Sequence, residues 1–354
     1  MKRVGGLFEK IVDFENLRLA AHTAALGKRS RPDVASFLLD LEPELLRLRR
    51  QLADGSYRTG PYRVFKVQDP KPRLISAAPF RDRVVHHALT RVIEPIFERR
   101  FTLDSFACRQ GFGTHRALLR ARSACRRFRY VLKCDIRKYF ASIDHGILKG
   151  LLRRVIKCDG TLTLAGHIID GAPPQEPTEA YFAGDTLFTP FERARGLPLG
   201  NQTSQFFANV YLNPLDQMVR RQLHAGEYLR YVDDFLIFGD DKRRLAEIKT
   251  EIAAHLSTLR LRLHVRKSRI YATKEGVGFL GFRLFPRRVR LARDNVTRAR
   301  RRFVRLQRLY ARGLVDGTTV DTSVRAWVAH AEHGDTWRLR EQMFSAIVFS
   351  RRAP

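Results

Sequence analysis

Three aspartates stand where a carboxylate is hard to keep. Asp135 lies near the end of the apolar run YVLKCDI, and Asp233 and Asp234 interrupt YLRYVDDFLIFGDD. Both runs have the composition of buried β-strands, in which an unpaired carboxylate costs several kcal/mol. Side chains alternate along a strand, so a tight turn at Asp233-Asp234 presents both carboxylates at one sheet edge. A neighbouring strand ending at Asp135 would bring three together. Such a cluster needs cations, and hard divalent ions with oxygen ligands suit it. Two ions bridged by carboxylates can activate an attacking hydroxyl and stabilise a leaving pyrophosphate, which is the chemistry of nucleotidyl transfer. An Asp-Asp pair alone is also a common solvated turn, and a single acid after a strand often caps the next helix. The three in this order carry the inference.

The composition says what the cluster acts on. The 354 residues include 66 Lys plus Arg against 36 Asp plus Glu, a formal charge of +30, and 53 of the cations are arginine. The planar guanidinium matches phosphate bidentately and stacks on bases, so a polyanion is the expected partner. This balance excludes an acidic disordered chain and argues against most metabolic enzymes. With 44% hydrophobic residues there is enough apolar material for packed cores. No apolar run approaches the roughly 20 residues of a spanning helix, so no membrane association is expected. The start MKRVGGLFEKIVDF lacks the apolar stretch of a secretory signal, which makes the cytoplasm the expected compartment. Cys108, Cys125, Cys134 and Cys158 have no metal-ligand spacing and are expected as reduced, packed thiols.

Several elements must position the acids. Residues 1–56 show helical periodicity and form an amino-terminal helical extension. Residues 57–80 alternate through Tyr62, Val64, Phe65 and Val67, then turn at Asp69-Pro70, as a hairpin with a basic far strand would. Helical patterns cover 81–100, where His86 and His87 are expected to pack or meet backbone phosphate, and 116–129. The glycine- and proline-rich stretch 159–192 is expected as an inserted, irregular loop region. GLPLGNQTSQFFANVYL opens as a turn and settles into a helix running towards Leu223. From Pro286 to Arg312 there are eleven arginines, followed by a helical tail with Trp327 and Trp337.

YVDD at 231–234, preceded by CDIRKYF and GLPLGNQTSQ, resembles the motif series of reverse transcriptases. The resemblance implies an α+β right-hand polymerase, with fingers at 57–130, a palm of antiparallel strands and helices at 131–285, and a helical thumb at 286–354. It implies an RNA-directed DNA polymerase using two Mg2+ ions held by Asp135, Asp233 and Asp234, with Asp135 and Asp233 the direct ligands. Lys71 and Arg73 match residues that clamp the incoming triphosphate. Phe140 falls where the family keeps an aromatic that blocks a 2′-hydroxyl, and Ile136, Leu199 and Gly200 belong to the same deoxynucleotide site. Lys267 is placed like the lysine that protonates departing pyrophosphate. Gly278, Phe279, Leu280 and Gly281 resemble a primer grip. Arg298, Arg301, Arg302 and Arg305 fall on a thumb helix along the template and primer duplex, and Arg109 and Gln205 are assigned to the same duplex.

The triplet Pro198-Leu199-Gly200 narrows the resemblance, because high-fidelity relatives carry glutamine where this chain has leucine. Together with KPRLISAAPFRDRVVHHAL and SFACRQGFGTHRAL, it is similar to the reverse transcriptases of diversity-generating retroelements. That implies error-prone copying at template adenines, a structured template RNA, and a small basic helical-bundle accessory protein that assembles as a ring. A methyl-rich side chain cannot hydrogen-bond the nascent pair, which loosens geometric checking. Two alternatives stand beside this reading: a reverse transcriptase of an anti-phage defence system, and an arginine-rich RNA-binding scaffold without chemistry. A group II intron maturase is disfavoured, since the 69 residues after Phe285 are too few for a thumb and a DNA-binding domain.

Overall fold

The computed structural model describes residues 2–68, 72–175, 180–223 and 226–351. The amino-terminal extension consists of α1 (Phe8–Val12), α2 (Phe14–Ala25), α3 (Pro32–Leu39) and α4 (Leu41–Ala53). Asp13 ends the first and caps the second by accepting from the Asn16 N–H at 3.1 Å. Proline opens α3, where its missing N–H costs nothing. Strands β1 (Arg63–Gln68) and β2 (Pro72–Ala77) pair antiparallel. The turn between them, with Asp69-Pro70 and Lys71, lies outside the described residues. Helix α5 (Phe80–Glu98) packs on α2, whose small residues Ala20, Ala21 and Ala24 are buried, and α6 (Thr114–Arg127) follows.

The central sheet begins with β3 (Tyr130–Asp135). Four helices come next: α7 (Tyr139–Ser142), α8 (His145–Arg153), α9 (Asp159–Asp170) and α10 (Thr189–Glu192). Helix α11 (Gln202–Arg221) leads into β4 (Glu227–Tyr231) and β5 (Asp234–Gly239), then α12 (Lys242–Thr258) and β6 (Arg269–Ala272). The strand order is β4-β5-β3-β6, every neighbour antiparallel. Both faces are covered, which is why the strands read as continuous apolar runs. Leu132, Cys134, Phe235 and Ile237 face the core shared with the amino-terminal helices, α5, α8, α9, α11 and α12. Val131, Leu229, Leu236 and Phe238 face a second core with α6 and the carboxy-terminal region. Each large apolar side chain buried this way contributes roughly 1.5–3 kcal/mol.

The carboxy-terminal part starts with β7 (Val277–Phe279), β8 (Phe282–Leu284) and β9 (Val289–Leu291), a second antiparallel sheet. Helices α13 (Arg293–Ala311), α14 (Gly317–Ala331) and α15 (Trp337–Ala346) complete it. Phe303, Trp327 and Phe344, one from each helix, form an aromatic cluster in which Trp327 meets both phenylalanine rings edge-on.

Three sequence expectations need correction. The stretch 159–192 is not irregular throughout: α9 occupies its first part and buries Thr161, Leu164, Ala165, Ile168 and Ile169. Its glycines misled, since Gly160 and Gly166 sit inside that helix. The division at residue 285 cuts the β7-β8-β9 sheet, whose last strand lies beyond it. Among the four free thiols Cys125 and Cys134 are buried and Cys158 half-buried, but Cys108 is exposed rather than packed. Among the described residues no helix is long and apolar enough to cross a membrane.

Candidate active site

Register builds the site. β3 and β5 pair so that Asp135 stands directly opposite Asp234, on the sheet face shared with Val131, Lys133, Leu236 and Phe238. Like charges directly opposed repel. Tyr231 pairs with Asp234, which leaves Val232 and Asp233 as the two-residue turn between β4 and β5. Val232 takes φ +59°, a left-handed conformation that a β-branched residue rarely adopts. That strain tightens the turn so that Asp233 and Asp234 both emerge beside Asp135, and the Ile136 N–H donates to the Asp233 carbonyl at 3.2 Å.

Two lysines answer the negative charge. Lys267 Nζ donates to both carboxylate oxygens of Asp135 at 2.9 Å. Lys133 Nζ lies 3.3 Å from Asp234 Oδ2 and donates to the Gly278 carbonyl at 2.7 Å. Asp234 Oδ1 is buried with no hydrogen-bond partner. Burial pushes the Asp234 carboxyl up to about 6, with Asp135 and Asp233 adding to the rise and Lys133 opposing it. Asp233 is also raised, first by burial and then by Asp135, against the pull of Lys267 and Arg73. The cluster is thus short of positive charge, and its donors are all oxygen, which suits a hard divalent ion. Among the described residues no three His, Cys, Asp or Glu side chains are arranged to hold a metal.

Behind the turn sits a buried ion pair that sequence reasoning missed. Arg230, with no exposed surface, donates from Nε and Nη2 to Asp216 at 2.7 and 2.6 Å. Its Nη1 donates to the Val232 carbonyl at 3.0 Å and to Asn209 Oδ1 at 3.2 Å. The Tyr228 hydroxyl donates to Asp216 at 2.6 Å. The guanidinium therefore grips the strained residue that precedes Asp233. The signal was an arginine between apolar neighbours in YLRYV, as Lys133 was in YVLKCD.

The other expected residues divide. Arg73 is exposed on β2 and its charge acts on Asp233, whereas Lys71 lies outside the described residues. Ile136 is buried and can offer only its backbone. Phe140 is half-buried and meets Tyr139 edge-on, with ring centroids 5.5 Å apart. The Leu199 carbonyl accepts from the Ser76 N–H at 3.1 Å, so its loop is docked on the β1-β2 hairpin. Gly200 has φ +117°, and a Cβ there would stand 3.1 Å from Ile75 Cγ2. Gln205 is exposed at the start of α11. Leu280 and Gly281, at φ +48° and +83°, form the turn between β7 and β8, while Gly278 is exposed. Phe279 is 2% exposed and belongs to the core, so it does not face a duplex. Arg298, Arg301, Arg302 and Arg305 are exposed on α13, whose buried side is Ala299 and Phe303.

Arg109 corrects an expectation. Its buried guanidinium binds Glu98 at 2.8 Å and the carbonyls of Thr102 and Ser105 at 2.6 and 2.7 Å, and lies 4.2 Å from the Phe112 ring centroid. It braces the loop after α5, to which its Nε and Nη1 donors are committed. The basic motif SFACRQGF gave no sign that Glu98, upstream, would claim it.

Comparison with known proteins agrees with this geometry. Residues 66–284 match the family described as Reverse transcriptase (RNA-dependent DNA polymerase). The chain is 28% identical over 298 residues to Protein YkfC of Escherichia coli (strain K12), covering 71% of this chain and 73% of that protein. It is 29% identical over 242 residues to the Retron Mx162 reverse transcriptase of Myxococcus xanthus, covering 68% of this chain and 42% of that one. It is 27% identical over 182 residues to the Group II intron-encoded protein LtrA of Lactococcus lactis subsp. cremoris, covering 50% and 28%. The chain thus spans under half the length of the last two. Since the family match takes in more than half of the chain and the whole aspartate-bearing sheet, the chain belongs to the reverse transcriptase (RNA-dependent DNA polymerase) family.

Proposed function

We propose that this chain copies a structured RNA template into DNA by two-metal nucleotidyl transfer, with errors concentrated at template adenines, as in a diversity-generating retroelement. The observation that carries the polymerase reading is the register that sets Asp135 opposite Asp234 with Asp233 in the adjoining turn. Magnesium ions held by these three carboxylates would supply Lewis acidity for the attacking 3′-hydroxyl and the leaving pyrophosphate.

The chain's own residues supply the rest. Arg73, exposed and acting electrostatically on Asp233, is assigned with Lys71 to the triphosphate. The Phe140 ring is assigned to exclude a 2′-hydroxyl. Lys267, which holds Asp135 when no ion does, is assigned the proton given to pyrophosphate. The exposed arginines of α13 bind phosphates of the duplex without reading sequence. Error-proneness rests on Leu199, an apolar side chain in the loop between α10 and α11 that hydrogen-bonds to the β1-β2 hairpin. No feature of the described residues points to the expected ring-forming accessory protein, and the proposal does not extend to it.

The test is primer extension on an adenine-containing RNA template with magnesium, sequencing the products of the intact chain and of Leu199→Gln. Misincorporation opposite adenine that falls in Leu199→Gln supports the diversifying role. Faithful copying of adenine by the intact chain contradicts it.

A further inference from the structure

The carboxylates assigned to chemistry and the arginines assigned to the duplex stand on different parts of the fold. The aspartates belong to the β4-β5-β3-β6 sheet, whereas α13 grows from the β7-β8-β9 sheet. The Ala292 N–H, at the start of α13, donates to the Gly281 carbonyl in the β7-β8 turn at 2.9 Å. Asn295, in the first turn of that helix, lies 3.1 Å from His330 Nε2 on α14. The hairpin and the arginine-bearing helix are therefore tied together. A nucleic-acid end bound along α13 meets the carboxylates only as accurately as the two sheets are registered.

Much of what joins the sheets is apolar. Val131, Leu236 and Phe238 of the first share a core with Phe279, Phe282 and Leu284 of the second. Such attraction has no direction, so by itself it sets the sheets' separation better than their register. A hydrogen bond fixes both distance and angle.

Lys133 supplies one. Its side chain leaves β3 on the face of Val131 and Asp135 and is 21% exposed. Its Nζ donates to the Gly278 carbonyl on β7 at 2.7 Å and stands 3.3 Å from Asp234 Oδ2. One ammonium thus meets a carboxylate of the cluster and the backbone of the hairpin at once. The shorter of the two contacts goes to the hairpin, which neutralising Asp234 alone does not require. A charge-assisted bond is also stronger than a neutral one. A further tie, from Arg126 Nε to the Pro286 carbonyl at 3.2 Å, comes from α6 and meets the second sheet past the end of β8. It sets no distance to the aspartates.

We infer that Lys133 is a positioning residue: it sets the register between the aspartate-bearing sheet and the β7-β8 hairpin, and through α13 the place where a primer end meets the carboxylates. It acts through the Gly278 carbonyl. The inference rests on the polymerase reading, which supplies the duplex and the reaction, but the tie belongs to the fold and is measured without either.

Two readouts on the full chain test it. The first is amide hydrogen exchange over residues 277–284 without nucleic acid. Lys133→Met keeps the stem and removes the donor, and it is expected to speed exchange there at least about tenfold. Lys133→Arg restores a charged donor and stays within about threefold of the intact chain. Lys267→Met removes the other ammonium at the aspartates and leaves exchange of this segment unchanged. The second readout is single-turnover extension of a preformed primer and template complex at saturating deoxynucleotide. Lys133→Met lowers the rate constant about tenfold while the dissociation constant of the duplex stays the same, and Lys133→Arg recovers the rate. A merely structural loss would lower the fraction of active molecules and leave the rate of the rest alone. Urea unfolding accompanies each variant, and if Lys133→Met does not fold, Lys133→Gln, whose shorter side chain loses the reach, takes its place. Unaltered exchange beside normal synthesis, equal acceleration in Lys267→Met, or a rate that Lys133→Arg does not recover overturns the inference. Altered exchange with no synthesis by the intact chain overturns the polymerase reading and the positioning role with it, while the tie stands.

Discussion

Replacing Arg230 by methionine keeps the side chain's length and removes its charge. The loss can be worked out from the partners. Asp216 loses the donors at 2.7 and 2.6 Å and keeps only the Tyr228 hydroxyl, while neither Asp216 nor Arg230 has any exposed surface. Water cannot replace what is lost, and breaking a buried pair from one side costs about 3–5 kcal/mol. Against a total stability of roughly 5–15 kcal/mol, that leaves the chain marginal. The triple variant Arg230→Met/Asp216→Leu/Tyr228→Phe removes the orphaned anion and its hydroxyl together, and it should recover most of the loss. Its turnover should stay about tenfold down, because the Val232 carbonyl has lost the 3.0 Å bond that braces the turn before Asp233. Urea unfolding reads the first effect and primer extension the second. Unfolding of Arg230→Met at the wild-type urea midpoint, or a triple variant no more stable than the single, would refute the reasoning.

Arg109→Ala should lower stability by about 2–3 kcal/mol in urea unfolding, less than a fully buried pair because Glu98 is 27% exposed. It should leave the salt dependence of RNA binding unchanged; a shallower salt slope would restore the template contact that its burial argues against. His86 gives a pH dependence. Burial lowers its pKa from the usual 6.5 to about 3, with His87 and Arg83 adding to the shift. Between those values the unfolded chain binds the proton and the folded chain does not, so this contribution is present above pH 6.5 and is lost as the pH falls, by about 1.4 kcal/mol per unit. His86→Leu should flatten the stability profile between pH 6 and pH 4, and an unchanged slope would mean that the ring is protonated in the fold.

The site was legible where local sequence dictates geometry. An acid in an apolar strand admits few explanations, so Asp135, Asp233 and Asp234 announced themselves, and the two-residue turn followed from the strands on either side. What escaped were the partners that tertiary pairing supplies. Nothing local to Arg230 names Asp216, fourteen residues away on a helix, and nothing near Arg109 names Glu98. Lys267 was assigned by resemblance to the proton given to pyrophosphate, but only the fold shows its ammonium on Asp135. Phe279 was read with its glycine neighbours as a nucleic-acid contact, yet strand alternation turns it into the core beside exposed Gly278. The 159–192 stretch failed for the opposite reason, since tertiary burial of Leu164, Ile168 and Ile169 overrides two helix-weakening glycines.

The central claim is that the three carboxylates do chemistry and are not there for stability. Asp233 sits in the turn, where burial and the neighbouring Asp135 both oppose its charge. The most direct measurement is magnesium-dependent primer extension on an RNA template by the intact chain and by Asp233→Ala, each checked by urea unfolding. The account predicts that Asp233→Ala loses synthesis by several orders of magnitude while unfolding at an equal or higher urea concentration. Synthesis that survives the substitution, or a loss that merely follows unfolding, would contradict it.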